Sequence, residues 1–169
     1  MPKSRLDEFD IKILEELQKD GRLTNVELAE RIGLSPSPCL RRVRRLESEG
    51  FIEGYYAKVN RNRVGLGITI FVEVTMGRHQ QGDAETFAVE IRKLPHVVAC
   101  HLISGRPDFL LEIVLTDLAQ FPEFVLRSLR RIPEMKEMHS SFVLETVKPQ
   151  SPLPLNLISP APVESEDYS

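Results

Sequence analysis

The chain has 169 residues, room for one medium domain or two small ones, with 41% hydrophobic residues and a formal net charge of -3 from 22 Lys+Arg against 25 Asp+Glu. Its two cysteines, Cys39 and Cys100, are too few for a disulfide-stapled scaffold. No apolar run nears the roughly 20 residues of a membrane helix, and Met1–Asp10 lacks the apolar core of a signal peptide, so a cytoplasmic protein with no membrane partner is expected.

The first 20 residues read as a helix. Leu6, Phe9, Ile13, Leu14 and Leu17 form one stripe, and Asp7, Glu8, Asp10, Lys12, Glu15 and Glu16 fill the other face. Asp20-Gly21 closes it, with Gly21 taking a left-handed conformation. Thr24 and Glu27 make a capping box for a short second helix whose apolar residues are Val26, Leu28, Ala29 and Ile32, ended by Gly33. Ser35 caps a third helix with Pro36 at its first position, running to about Glu49 before Gly50. Phe51–Ala57 reads as a short hairpin or wing. A second pattern then begins: a strand Ile68–Thr75, a polar loop Met76–Gly82, a helix Ala84–Leu94, strands Val97–Ile103 and Phe109–Leu115, an amphipathic helix Leu118–Ile132 and a strand Met135–Val147. The order β-α-β-β-α-β is the ferredoxin-like split arrangement. From Pro149 prolines and a terminal Glu164-Ser165-Glu166-Asp167 suggest an extended or flexible tail.

Three short helices with a tight turn before the third make a helix-turn-helix. At about 100° per residue, Leu40, Val43 and Leu46, with Cys39 beside them, form the face expected to enter the core. Ser37, Arg41, Arg44 and Arg45 form the opposite face, with Arg42 on the flank. Four arginines within five residues suit a helix that enters a DNA groove, because guanidinium groups bind guanine edges and phosphates. A solvated charged face is the alternative, and the absence of Lys argues against it. Asn25 and Ser35, at the starts of the second and third helices, complete the DNA-binding candidates.

Elsewhere the chemistry is thinner. His79, His96, His101 and His139 lack metal-ligand spacing. Gly65-Leu66-Gly67 precedes a strand and so is no nucleotide loop. No nucleophile–base signature marks an enzyme, and no cofactor is expected. Ser104-Gly105-Arg106-Pro107-Asp108 joins two strands and sets a hydroxyl, backbone amides, a guanidinium and a carboxylate together. A free amino acid needs donors for its carboxylate and an acceptor for its ammonium, so this turn is either a small-ligand site or a plain hairpin.

Asp10-Ile11-Lys12-Ile13-Leu14, Leu17-Gln18-Lys19-Asp20-Gly21-Arg22, Gly33-Leu34-Ser35-Pro36-Ser37-Pro38-Cys39, Arg42-Val43-Arg44-Arg45-Leu46 and Cys100-His101-Leu102-Ile103-Ser104-Gly105 resemble the Lrp/AsnC (feast/famine) transcriptional regulators over roughly residues 6–148. The resemblance implies an α+β chain: a winged helix-turn-helix DNA-binding domain at 1–60, a linker at 61–66, a ferredoxin-like effector-binding and oligomerisation domain at 67–148, and a tail at 149–169. It implies a prokaryotic, nucleoid-associated protein that binds double-stranded DNA as homodimers assembling into octamers or other multimers of dimers. An amino-acid effector, leucine or another, would bind near Ser104, Gly105, Arg106 and Asp108, with Ser140 at the same interface. The family loop commonly carries an acid where Arg106 stands. The expected function is control of amino-acid metabolism genes. An effector-independent DNA-organising protein and an amino-acid-binding subunit acting by protein contact are the alternatives.

Overall fold

The computed structural model describes residues 6–77, 83–132 and 135–161. His79, most of the expected polar loop, Pro162 and the acidic end Glu164–Asp167 lie outside the described residues. The chain forms two compact units, residues 59–147 and a unit built from both chain ends, 1–58 with 148–169.

In the unit of the chain ends, α1 (Glu8–Lys19) starts at Asp7 through a capping box with Asp10. The Asp10 N–H donates to Asp7 Oδ1 at 2.9 Å and the Asp7 N–H to Asp10 Oδ2 at 3.1 Å, so two otherwise unpaired helix-end amides are satisfied. The helix does not end on a left-handed Gly21. Asp20 turns to extended backbone instead, and its carboxylate accepts the Arg22 N–H at 2.9 Å. The second helix, α2 (Asn25–Ile32), has the expected capping box: Glu27 Oε2 accepts the Thr24 N–H at 2.8 Å, and Gly33 at φ 76 closes the helix. The third, α3 (Pro36–Ser48), follows Ser35 at the cap position, but the Ser35 side chain makes no cap hydrogen bond. Ile13, Leu28, Ala29, Ile32, Cys39 and Leu46 form the interior of this unit. Each large aliphatic side chain among them contributes roughly 1.5–3 kcal/mol by leaving water. Residues 51–60 form no strand, so the expected hairpin over Phe51–Ala57 is not made. The Phe51 and Ile52 amides both donate to the Leu46 carbonyl, at 2.9 and 3.1 Å, and turn the chain off α3.

The tail is not loose where it is described. Gln18, near the end of α1, receives the Leu153 N–H on Oε1 at 2.6 Å and donates Nε2 to the Leu153 carbonyl at 3.3 Å. At the other end of α1 the Ala161 N–H donates to the Leu6 carbonyl at 2.8 Å, beside a parallel bridge between Asp7 and Ala161. Residues 153–161 therefore run along α1 from its C-terminus to its N-terminus, with a 3-10 turn at Leu155–Leu157. Their leucines show no period that announces this, because the anchoring groups are mostly backbone. Gln18→Ala is expected to lower the stability of this unit by about 1 kcal/mol, since the amide holds two backbone groups for a net gain near that size. A denaturant melt followed by helix signal checks it, and an unshifted midpoint would free the tail.

The second unit is a four-stranded antiparallel sheet of order β2-β3-β1-β4, made of β1 (Ile68–Met76), β2 (Val97–Leu102), β3 (Phe109–Leu115) and β4 (Met135–Phe142). With α4 (Asp83–Arg92) and α5 (Gln120–Arg127) it has the expected β-α-β-β-α-β order. Alternation along β1 puts Ile70, Val72 and Val74 on the helix-covered face, opposite Ile113, Leu111 and Phe109 of β3. Phe87 of α4 stacks on Phe109 with ring centres 4.3 Å apart, and Phe124 and Val125 of α5 complete the core. The long helix expected over Leu118–Ile132 is broken. α5 ends at Arg127, and a 3-10 turn at Leu129–Arg131 tightens the exit, leaving Leu129 and Ile132 buried. β4 stops at Phe142, opposite Ile70 of β1 and short of the expected Val147; the Val143 N–H still donates to the Thr69 carbonyl at 3.0 Å, and beyond it the chain leaves the sheet. Residues 61–66, expected to be a linker, form a turn within this unit, closed by the Leu66 N–H on the Arg61 carbonyl at 2.8 Å.

Candidate nucleic-acid interface and effector loop

α3 shows two faces, rotated from the expected ones. Cys39, Arg42 and Leu46 are buried, with Val43 and Arg45 partly so. Ser37, Leu40, Arg41, Arg44 and Ser48 are exposed. Leu40, expected in the core, is 38% exposed, and Arg42, expected on the DNA-facing flank, is 3% exposed. Burial also pushes the Cys39 thiol up, keeping it protonated and inert among apolar neighbours.

The reason for the rotation lies in α1. Arg42 Nη1 donates to Asp7 Oδ2 at 2.7 Å and to Asp10 Oδ1 at 2.9 Å, and its guanidinium stacks over the Phe9 ring with 5.4 Å to the ring centre. Arg45 donates to the other oxygen of Asp10. Asp10 is wholly buried and Asp7 nearly so, which corrects their placement on the solvated face of the first helix. Burial pushes the Asp7 carboxyl up, but the Asp10 N–H and the Arg42 guanidinium outweigh it and hold the group below its ordinary 3.8. For Arg42 burial works against the charge, and the two aspartates more than restore it. Arg42 is thus an interior cation matched by interior anions and is withdrawn from the DNA-facing set. A signal was present in the sequence: Asp7 and Asp10 stand three apart on one helix, as Arg42 and Arg45 do on another.

Four of the seven DNA candidates remain outward or partly so on α3. Ser37, Arg41 and Arg44 are exposed and Arg45 is half-exposed. Ser35 is exposed at the helix start. Asn25 has a different task, because its Nδ2 donates to the Pro36 carbonyl at 2.7 Å and ties the start of α2 to the first turn of α3. Val26, read as an apolar residue of α2, is 63% exposed on the same unit.

In the second unit, Ser104, Gly105 and Arg106 stand exposed in the turn between β2 and β3, with Gly105 at φ 106. Asp108 anchors this turn: its Oδ2 accepts the Met76 N–H at 2.8 Å, its N–H donates to the Val74 carbonyl at 3.0 Å, and its carbonyl accepts the Ile103 N–H at 2.9 Å. Ser140 pairs with Val72 across β1 and β4, so it lies half-buried on the helix-covered face of the sheet. Within one chain the structure does not bring Ser140 into the turn. Among the described residues of this unit, no helix covers the opposite sheet face, with Phe71, Glu73, Leu110 and Glu112. Arg61 crosses it, donating to Glu112 Oε1 at 2.6 Å and to Thr69 Oγ1 at 3.4 Å.

Residues 6–53 match the winged helix-turn-helix DNA-binding family, and residues 69–153 match the Lrp/AsnC ligand binding domain. The chain is 43% identical over 147 residues to the leucine-responsive regulatory protein of Escherichia coli K12, covering 87% of this chain and 90% of that one. The chain belongs to the Lrp/AsnC family of transcriptional regulators. The leucine-responsive regulatory protein of Klebsiella pneumoniae is equally similar, at 43% over 147 residues, 87% of this chain and 90% of that one. Among solved structures, a transcriptional regulator from Neisseria meningitidis in complex with L-Met superposes with a TM-score of 0.85 at 45% identity, covering 90% of this chain and 98% of that chain. An AsnC family regulator from Agrobacterium tumefaciens also gives 0.85, at 33% identity, over 90% and 99%. This Lrp/AsnC chain is a DNA-binding transcriptional regulator with an amino-acid-binding domain, and not an enzyme. No described helix is long and apolar enough to cross a membrane.

Proposed function

We propose that this regulator controls genes of amino-acid metabolism in a prokaryotic cytoplasm, and that an amino acid bound at the exposed turn between β2 and β3 modulates it. The observation that supports this most is the outward face of α3: Ser37, Arg41 and Arg44 stand exposed on a helix whose other side is locked into the core by Cys39, Leu46 and the Arg42 ion pair. A helix can enter the major groove only with long donors on one side and an anchor on the other. Ser37, Arg41, Arg44 and Arg45 are the DNA contacts in this reading, with Ser35 beside them at the helix N-terminus, where anions are favoured.

Ser104, Gly105 and Arg106 supply the hydroxyl, amide and guanidinium for an amino-acid carboxylate, and Asp108 sets the turn that presents them. The Neisseria relative is solved with L-Met, which favours an amino acid with an apolar side chain as effector. Two chains packing their uncovered sheet faces, with Phe71 and Leu110 inside, would form the homodimer, and Ser140 would reach an effector only in a larger assembly of dimers. The effector acts by binding one assembly better than another, since equal affinity shifts nothing.

The test is a fluorescence titration of the purified protein against its own upstream DNA at two salt concentrations, with and without a pooled amino-acid mixture. Tight, salt-sensitive binding altered by the pool supports the proposal. Binding indifferent to the pool favours an effector-independent DNA organiser, and the absence of binding at either salt overturns the assignment to that DNA. Arg106→Ala is expected to weaken the response to the pool by about tenfold in half-effective concentration, the loss of one charge-assisted hydrogen bond, while DNA affinity without amino acids stays put. An unchanged response would remove Arg106 from the effector site.

A further inference from the structure

Arg41, Arg44 and Arg45 lie on or beside the same outward face of α3, but they are not held alike. The Arg44 side chain is exposed and makes no hydrogen bond or ion pair with a described residue. Arg45 is fixed to Asp10, and Asp10 is fixed in turn. One carboxylate oxygen accepts Arg42, the other accepts both the Asp7 N–H and Arg45, and its own N–H is held by Asp7. A carboxylate with this many partners in the interior has no freedom to follow Arg45, so Arg45 must follow it. The Arg45 side chain is 38% exposed; its Nη2 is held by Asp10, and its Nε is buried without a hydrogen-bond partner among the described residues.

We propose that Asp10, which is fully buried and touches no DNA, is a positioning residue for sequence discrimination: it holds Arg45 in one orientation at the rim of the DNA-facing surface. Building on the DNA-reading face argued above, it divides that face by role. Arg44 is a mobile counter-charge that meets phosphates wherever they lie. Arg45 is a pre-oriented fork, already partly neutralised, whose value is geometric. Orientation counts because bidentate base contacts demand one plane and one distance, whereas phosphate contacts act through charge and position the protein without reading sequence.

The two roles separate experimentally. The probes are a duplex that the wild-type protein enriches from a random 30-base-pair library and a scrambled duplex of the same composition. The readouts are the affinity ratio between them and the slope of log affinity against log salt. Arg45→Lys keeps the charge and loses the fork, and is expected to lower the ratio by about tenfold, the low end of the discrimination one bidentate contact supplies, with the slope unchanged. Arg44→Gln is expected to leave the ratio and to reduce the slope by about 0.9 for each phosphate that Arg44 neutralises. Asp10→Asn frees Arg45, so affinity for the scrambled duplex should rise several-fold while the ratio falls. Circular dichroism verifies that this variant is folded at the assay temperature, and an unchanged ratio in the folded variant overturns the role of Asp10, whereas the Arg45 and Arg44 variants test whether Arg45 reads sequence at all. A ratio unchanged in Arg45→Lys, or lowered equally in Arg44→Gln, overturns the proposal. If the wild-type protein enriches no sequence, sequence reading by this helix fails, and the role of Asp10 with it. Enrichment with indifferent Arg45 variants refutes the role of Asp10 alone.

Discussion

Asp10→Ala is expected to destabilise the helix-turn-helix unit by about 3–5 kcal/mol, a large share of the roughly 5–15 kcal/mol that holds a typical domain together. The substitution removes an anion from beside Arg42, which is 3% exposed and is also paired with Asp7. It also removes the acceptor for the Asp7 N–H at the start of α1. Leaving a buried charge short of its partner costs more than the pair itself contributes, because the desolvation penalty persists when the attraction is gone. Urea melts of the wild type and variant measure the difference, and a loss below about 1 kcal/mol would show that water reaches Arg42. The same network sets a pH dependence. Asp7 is held below its ordinary 3.8, so it binds fewer protons folded than unfolded. Its contribution is full at neutral pH, begins to fall as the pH drops toward 3.8, and is lost as the pH passes through the lowered folded value. Asp7→Asn should flatten that acid limb of the stability curve.

Arg41→Gln combined with Arg44→Gln is expected to cut DNA affinity on the order of 100-fold at fixed salt, because each charge-assisted contact is worth roughly 1.5–3 kcal/mol. The salt slope should fall by about 0.9 for each phosphate no longer neutralised, as fewer counterions are released. Both side chains are exposed on α3, so the melting behaviour should stay close to that of the wild type. Arg42→Gln is the matched contrast. It removes a cation of the same cluster from the interior, leaves Asp7 and Asp10 facing each other, and should show its effect as lost stability. If the double variant binds DNA like the wild type, α3 is not the reading helix. If Arg42→Gln folds normally and binds DNA weakly, Arg42 reaches DNA and the interior assignment falls.

Much of the architecture is legible because it is written in local signals. The capping box of Thr24 and Glu27, the left-handed Gly33, the proline at the first position of α3 and the alternating residues of β1 and β3 each act over a few residues. The elements they announce stand close to where the pattern places them. The misplacements occur where a boundary depends on something distant. α5 breaks after Arg127, and the 3-10 turn that follows places Leu129 in a core built by distant strands. Prolines suppress regular structure and so suggest a loose tail, but its hold on α1 runs through Gln18 and Leu6, far away in sequence.

The candidate DNA surface shows the same division. Four arginines within five residues, on a third helix after a tight turn, identify the reading helix from the sequence, because composition and helical period are local properties. Which of those arginines look outward is not local. A 3.6-residue period leaves the phase of a short helix open by about 60° when apolar and charged residues share its flanks, and here Leu40 and Arg42 occupy the two flanks. Hydrophobicity alone turns Leu40 inward. Asp7 and Asp10, contributed by α1, reverse that choice by making the interior a favourable place for one guanidinium. Local patterns announce most of the helices and strands and their order, and short motifs announce the family. That Arg42 is a core residue and Arg45 a tethered one emerges from folding, because burial of a charge turns on the partners that folding brings to it.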